Sequence, residues 1–202
     1  GRLRAAFGAG SDRPFVVGHV GALVDAHKGQ SQVIEVARRL ARRAPDVRFV
    51  FVGSGRDEGA FRAQAAGLQN VYFAGQTDAV GDYLAAFDLF IYPSRHEGLG
   101  SVLIDALDFG LPVVATRVGG IPEIIGDGQN GILCQPGDLD ALERAVLCFH
   151  DDPQLRTRVA NANRRHAAAF SADAMADRYA ALYRELAQAR RLDLALPAAG
   201  TP

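Results

Sequence analysis

The chain has 202 residues, 49% hydrophobic and 22% charged, with a formal net charge of −1. That length holds one large domain or two small ones, and it can build a core without disulfide or metal staples. The near-zero charge argues against nucleic acid or an anionic membrane as a partner, and no apolar run approaches the ~20 residues of a membrane helix.

The opening GRLRAAFGAG lacks an initiator Met and the apolar middle of a signal peptide, so the chain is expected to begin inside a longer protein. PFVVGHVGAL (14–23) is an apolar, β-branched run that reads as a buried strand. A helix is predicted over 29–44. Val33, Val36, Ala37, Leu40 and Ala44 form its apolar stripe, Arg38, Arg39, Arg42 and Arg43 face away, and Pro45 stops it.

Strands follow at 47–53, 71–75, 88–94, 111–116 and 131–136, separated by short helices near 57–66, 79–87 and 101–109. After Gly137 three helices are predicted, near 138–150, 153–168 and 172–190. The last carries Met175, Tyr179, Leu182, Tyr183 and Leu186 on one face. Residues 1–190 are thus expected to form one domain, and 191–202 a disordered tail. Alternating strands and helices give a Rossmann-like parallel sheet of about six strands with helices on both faces. In such folds ligands bind at the carboxyl ends of the strands, where strand order reverses.

Four turns are candidates for that place. In RHEGLGSVLIDALDFGLP (95–112), Gly98 and Gly100 flank Leu99 directly after a strand, and a helix begins near Ser101. Glycines admit a close ligand and a helix start offers free N–H groups, which together make an anion site; Ser101 either caps the helix or meets a phosphate oxygen. Glu97 and Asp105 bracket the turn, and Ser101, Asp105 and Asp108 share one polar stripe.

In VGALVDAHKGQ (20–30), Lys28 sits just before a helix. Arginine occurs 21 times and lysine once, so this position singles out a compact, mobile charge. VGSGR (52–56) lacks the third glycine of a dinucleotide fingerprint and reads mainly as a tight turn. RVGGIPEIIGDGQNG (117–131) is a further close turn, with Glu123 opening a short helix. Of the five histidines, His19 reads as a core or edge residue and His96 as a possible site lining. None pairs at metal-binding spacing, and Cys134 and Cys148 read as cytosolic thiols.

EGLGSVLIDALDFGLPVVAT, GGIPEII and NGIL, preceded in order by VGALVDAHKG, FVGSGR, VYFAGQTD and AAFDLFIYPSRHEGLG, resemble the carboxyl-terminal half of the family 4 retaining glycosyltransferases. The likeness runs from about residue 14 to 188 and is most specific over 88–126. It implies one half of a GT-B fold, binding a nucleotide diphosphate sugar of UDP or GDP type. It implies that Glu97 contacts the donor sugar or reaction centre and that Asp105 takes the ribose hydroxyls. Gly98, Leu99, Gly100 and Ser101 would lie by the diphosphate, Lys28 would neutralise the leaving group, and Gln76 and Thr77 would lie near the base. No metal and no separate cofactor are implied.

An amino-terminal acceptor domain would be missing from this chain. The final helix would cross onto that domain, and any membrane contact would come through it. The expected setting is the bacterial cytoplasm, at most the inner face of the membrane. Two residues depart from the family pattern: Asp105 is one methylene shorter than the usual Glu, and Ala22 stands where many relatives carry Arg, a loss that weakens donor binding unless another cation such as Arg95 compensates. The alternatives are a sugar-nucleotide epimerase of the same fold and a non-catalytic nucleotide-sugar-binding domain. A dinucleotide oxidoreductase is more distant. A glycosidase carboxylate pair is discounted because the surroundings of Glu97 and Asp105 favour phosphate.

Overall fold

The computed structural model describes residues 13–193. The opening decapeptide and the tail from residue 194 lie outside the described residues. Six parallel strands form one sheet: β1 (Phe15–Val20), β2 (Val47–Val52), β3 (Val71–Gly75), β4 (Leu89–Tyr92), β5 (Val113–Thr116) and β6 (Gly131–Cys134), in the order β3-β2-β1-β4-β5-β6. The chain starts in the middle, runs to one edge, then returns to β1 and runs to the other. Strand order therefore reverses between β1 and β4, the crevice such folds use for ligands.

The helices are α1 (Asp25–Lys28), α2 (Gln30–Arg43), α3 (Glu58–Gln64), α4 (Val80–Leu84), α5 (Val102–Asp108), α6 (Ile121–Ile124), α7 (Leu139–Asp151), α8 (Pro153–Ala167) and α9 (Ala172–Asp193), with a 3₁₀ turn at Ala168–Phe170. Side chains alternate across the sheet, so each face has its own core. On one face Phe15, Val17, Phe49, Phe51, Leu89 and Ile91 pack with Val36 and Leu40 of α2 and Phe149 of α7. On the other, Val16, Val50, Val52, Phe90 and Val113 pack with Leu84, Leu103, Leu107 and Ile121. Covering both faces is why the strands read as continuous apolar runs.

The strands are shorter than the runs. Gly21, Ala22 and Leu23 leave the sheet after Val20, yet Leu23 is 1% exposed because the loop after β2 lies over it. α1 was not foreseen, since four residues are too few to show a period. Asp25 within it organises the next helix: its carboxylate accepts from the Ser31 N–H at 2.8 Å and the Ser31 hydroxyl at 2.9 Å. The four arginines of α2 are exposed as predicted, and Arg39 and Arg43 reach Asp140 and Glu143 on α7. α9 continues to Asp193, three residues into the stretch expected as tail, and its five large apolar side chains are about half exposed.

His19 is a core residue, wholly buried in β1 beside the crevice. Its Nδ1 lies 3.0 Å from the Ile91 carbonyl, and its Nε2 lies 3.2 Å from the Gln30 amide nitrogen, which donates to the Ala22 carbonyl at 2.7 Å. Burial, opposed by the Ile91 hydrogen bond, pushes the imidazole down to about 4 from 6.5. The folded state thus refuses a proton that the unfolded chain binds. The stability from this residue is complete above pH 6.5 and is lost as pH falls toward 4, up to about 3 kcal/mol. Denaturant titrations at pH 7 and 4.5 are expected to show that loss, and His19→Gln is expected to flatten it. An equal pH slope in the variant would refute the assignment.

Candidate active site

The loops after β1 and β4 flank the crevice and are tied together. The Arg95 and His96 N–H groups donate to the His27 carbonyl, at 2.8 and 3.2 Å. Gly29, between α1 and α2, has φ +66°, and a side chain there would be built into the Pro93 carbonyl. The loop after β2 closes on the loop after β1 in the same way, because Gly55 lies against the Leu23 carbonyl. VGSGR is therefore the tight turn its sequence indicated.

This seam places Lys28 opposite Glu97, 69 residues away in the chain. The Lys28 ammonium is 2.5 Å from Glu97 Oε2 and donates to the Tyr92 hydroxyl at 2.6 Å. The Tyr92 hydroxyl in turn donates to the same Glu97 oxygen at 2.7 Å, with Ser94 Oγ at 3.4 Å. Burial works against both charges, and their hydrogen bonds outweigh it. The Glu97 carboxyl is held below its ordinary range by Lys28 and Tyr92, and the Lys28 ammonium above its own by Glu97 and Tyr92. Both are fully charged at neutral pH.

The pair borders a cleft of about 500 Å³ lined by Ala22, Val24, His27, Lys28, His96, Glu97 and Gly98. His96 lines the site, and its ring lies edge-on to His27 at 6.2 Å. Ala22 faces the cleft, so the place expected of an arginine is part of its wall. Arg95 does not fill it: its guanidinium lies 3.6 Å from Asp25 and 3.4 Å from the Ser31 hydroxyl, and Arg95 is not among the cleft-lining residues.

Of the rest of the predicted set, Gly98 lines the cleft and the others lie outside its lining. Gly98 and Leu99 are exposed, and the N–H groups from Gly98 to Ser101 have no backbone partner among the described residues. Gly100 turns at φ +74° into α5. Ser101 holds the N-cap position but makes no capping hydrogen bond, because its backbone is already helical (φ −51°, ψ −32°). Asp105 is exposed on α5 and has no side-chain hydrogen bond among the described residues. Burial and then Asp108 raise its carboxyl. Gln76 and Thr77 follow β3, two strands from β1, outside the cleft; Gln76 accepts from the Ser54 hydroxyl at 2.8 Å.

The glycine turn after β5 has a part that its sequence left open. Gly119, at φ +51°, lies against the Glu97 carbonyl, and the Gly120 N–H donates to the Gly98 carbonyl at 2.8 Å. Glu123 is the third residue of α6 rather than its first. Tyr92 and Ser94 were not foreseen as site residues. The available signal was a tyrosine ending a strand of purely apolar residues, since a buried phenol seeks a polar partner.

Comparison with known proteins places the chain in a family. The model of the family described as glycosyl transferases group 1 matches residues 14–152. The alpha-D-kanosaminyltransferase of Streptomyces kanamyceticus is 36% identical over 190 residues, 91% of this chain and 48% of that one. The crystal structure of Anabaena Alr3699/HepE in complex with UDP superposes with a TM-score of 0.79 at 27% identity, over 91% of this chain and 52% of that one. A crystal structure of the C-terminal domain of a glycosyl transferase group 1 family protein (LpcC) from Francisella tularensis shares the fold. Its TM-score is 0.69 at 23% identity, and the match takes in 82% of this chain and 95% of that domain. The chain spans about half the length of the curated relatives it matches. It belongs to the group 1 glycosyl transferases, with the Rossmann-like sheet of a GT-B half.

Proposed function

We propose that this chain is the donor-binding, carboxyl-terminal domain of a retaining glycosyltransferase that uses a nucleotide diphosphate sugar of UDP or GDP type. The observation that carries the reading is the Lys28–Glu97 pair at the strand-order switch, beside N–H groups from Gly98 to Ser101 that have no backbone partner among the described residues. In the transfer, the bond from the anomeric carbon to the diphosphate oxygen breaks, and a bond to an acceptor oxygen forms as that hydroxyl gives up its proton. The negative charge arising on the diphosphate needs a preorganised cation. Lys28 supplies it, and Glu97 faces the sugar.

Asp105 takes the ribose hydroxyls, Gly98, Leu99, Gly100 and Ser101 line the diphosphate, and Gln76 and Thr77 mark the direction of the base. The acceptor comes from an amino-terminal domain, so the chain alone binds nucleotide and transfers no sugar. No described helix is long and apolar enough to cross a membrane.

Calorimetric titration of the chain with UDP, GDP and ADP, without divalent metal, tests the reading. One nucleotide is expected to bind, and Lys28→Ala and Asp105→Ala are each expected to weaken it about tenfold or more. Binding that is indifferent to both substitutions would refute the assigned site. No binding to the chain or to the intact protein would refute the donor-binding function.

A further inference from the structure

A nucleotide diphosphate that draws on Lys28 takes away the cation that pairs with Glu97. Glu97 is 12% exposed at the side chain, and a carboxylate this enclosed needs another donor if it is to stay charged and in place. Ser94 Oγ, at 3.4 Å, is too distant to serve alone. The Tyr92 hydroxyl, at 2.7 Å, remains.

The ring beneath that hydroxyl is itself fixed. Tyr92 is 2% exposed, stacked on His19 at 5.7 Å and on Phe90 at 5.9 Å. The hydroxyl also accepts from Lys28, whose ammonium lies 5.0 Å from the ring centre. Among the described residues it is thus the one group bonded to both members of the pair, and it is carried on a strand.

We propose that Tyr92 is the positioning residue of this site, whose hydroxyl keeps the Glu97 carboxylate ionised and oriented when a nucleotide diphosphate draws Lys28 away. The proposal rests on the donor-binding reading for the event that moves Lys28. The Tyr92–Glu97 dependence itself is measurable without nucleotide. The ionisable groups around Glu97 are Lys28 from α1 and Tyr92 from β4, with His27 and His96 also lining the cleft. His19, behind Tyr92, is uncharged at neutral pH.

The test is an NMR titration of the Glu97 side-chain carboxyl carbon, identified by its absence in Glu97→Gln. It is run on the full chain, on Tyr92→Phe, on Lys28→Met and on the double variant. Lys28→Met imitates the departure of the ammonium. In that background Tyr92→Phe is expected to raise the carboxyl midpoint at least as far as it does in the parent. An unchanged midpoint would overturn the proposal.

If the phenylalanine variants do not fold, the Tyr92 Cζ signal of Lys28→Met gives the answer. A step at the Glu97 midpoint supports the bond, and a flat signal overturns it. In the intact protein Tyr92→Phe is expected to lower kcat about ten- to a hundredfold with little change in the KM for the donor. A raised KM with unchanged kcat would overturn the positioning role. Failure of every nucleotide to bind would count against the donor-binding reading while leaving the carboxyl titration intact.

Discussion

Lys28→Met is expected to lower kcat/KM of the intact protein about a hundred- to a thousandfold, the range seen when a preorganised donor to a developing negative charge is removed. The expectation is large because, among the described residues, no arginine and no second lysine lines the cleft. Ala22 occupies the wall opposite, and Arg95 is turned to Asp25 and Ser31. The substitution also strands Glu97: burial already favours its neutral form, and the partner that most opposes burial, Lys28, is gone. The loss should therefore deepen as pH falls, because the carboxyl of the variant titrates higher than in the parent. Lys28→Arg is expected to restore little, since a planar fork does not fit the compact place between Tyr92 and Glu97. Steady-state rates from pH 5 to 9 check this, and a loss below tenfold would refute the role.

Gly119→Ala is expected to be the most damaging single-methyl change. The new Cβ would be built into the Glu97 carbonyl, and φ +51° is a region that alanine enters with strain. Strain and overpacking together predict about 2–4 kcal/mol of lost stability. The more informative effect is local, because relief requires the loop carrying Glu97 and Gly98 to move. Nucleotide binding and transfer should both fall by more than the unfolded fraction explains. Thermal melts with calorimetry on the same sample separate the two effects. Gly128→Ala is a control, since it has a similar φ of +72° but nothing within 4 Å of its Cβ. It should lose stability and keep the site.

The fold was legible because a parallel sheet buried on both faces writes itself as apolar runs between helical periods. The same cause blurred the strand ends. An apolar pattern reports burial rather than pairing, so Leu23 and Leu111, buried outside the strands, were read into them. The site was legible as turns. Glycines at strand ends, a lone lysine and a carboxylate beside a helix start each carry chemistry in their residue type. What joins them was not legible. The Lys28–Glu97 pair spans 69 positions and depends on two loops meeting at the strand-order switch. Tyr92 was read only as part of a strand; its ring is core, and only the geometry shows its hydroxyl pointing at the pair. Arg95 was a fair substitute for a missing cation by sequence distance, yet Asp25, in a helix too short to predict, claims it.

The glycine seam has a consequence for how such a site can diversify. The loops after β2, β1, β4 and β5 touch through bare backbone, carbonyl against alpha carbon, so they form a single stiff rim. A lengthened or reshaped loop would be transmitted along the whole rim to the carboxylate. New preferences are therefore most cheaply acquired by exchanging side chains that hang from the rim without supporting it, such as Ala22 and Leu99. The rim acts as a fixed chassis with replaceable fittings, and a library meant to retune this protein should randomise those two positions and leave the glycines alone.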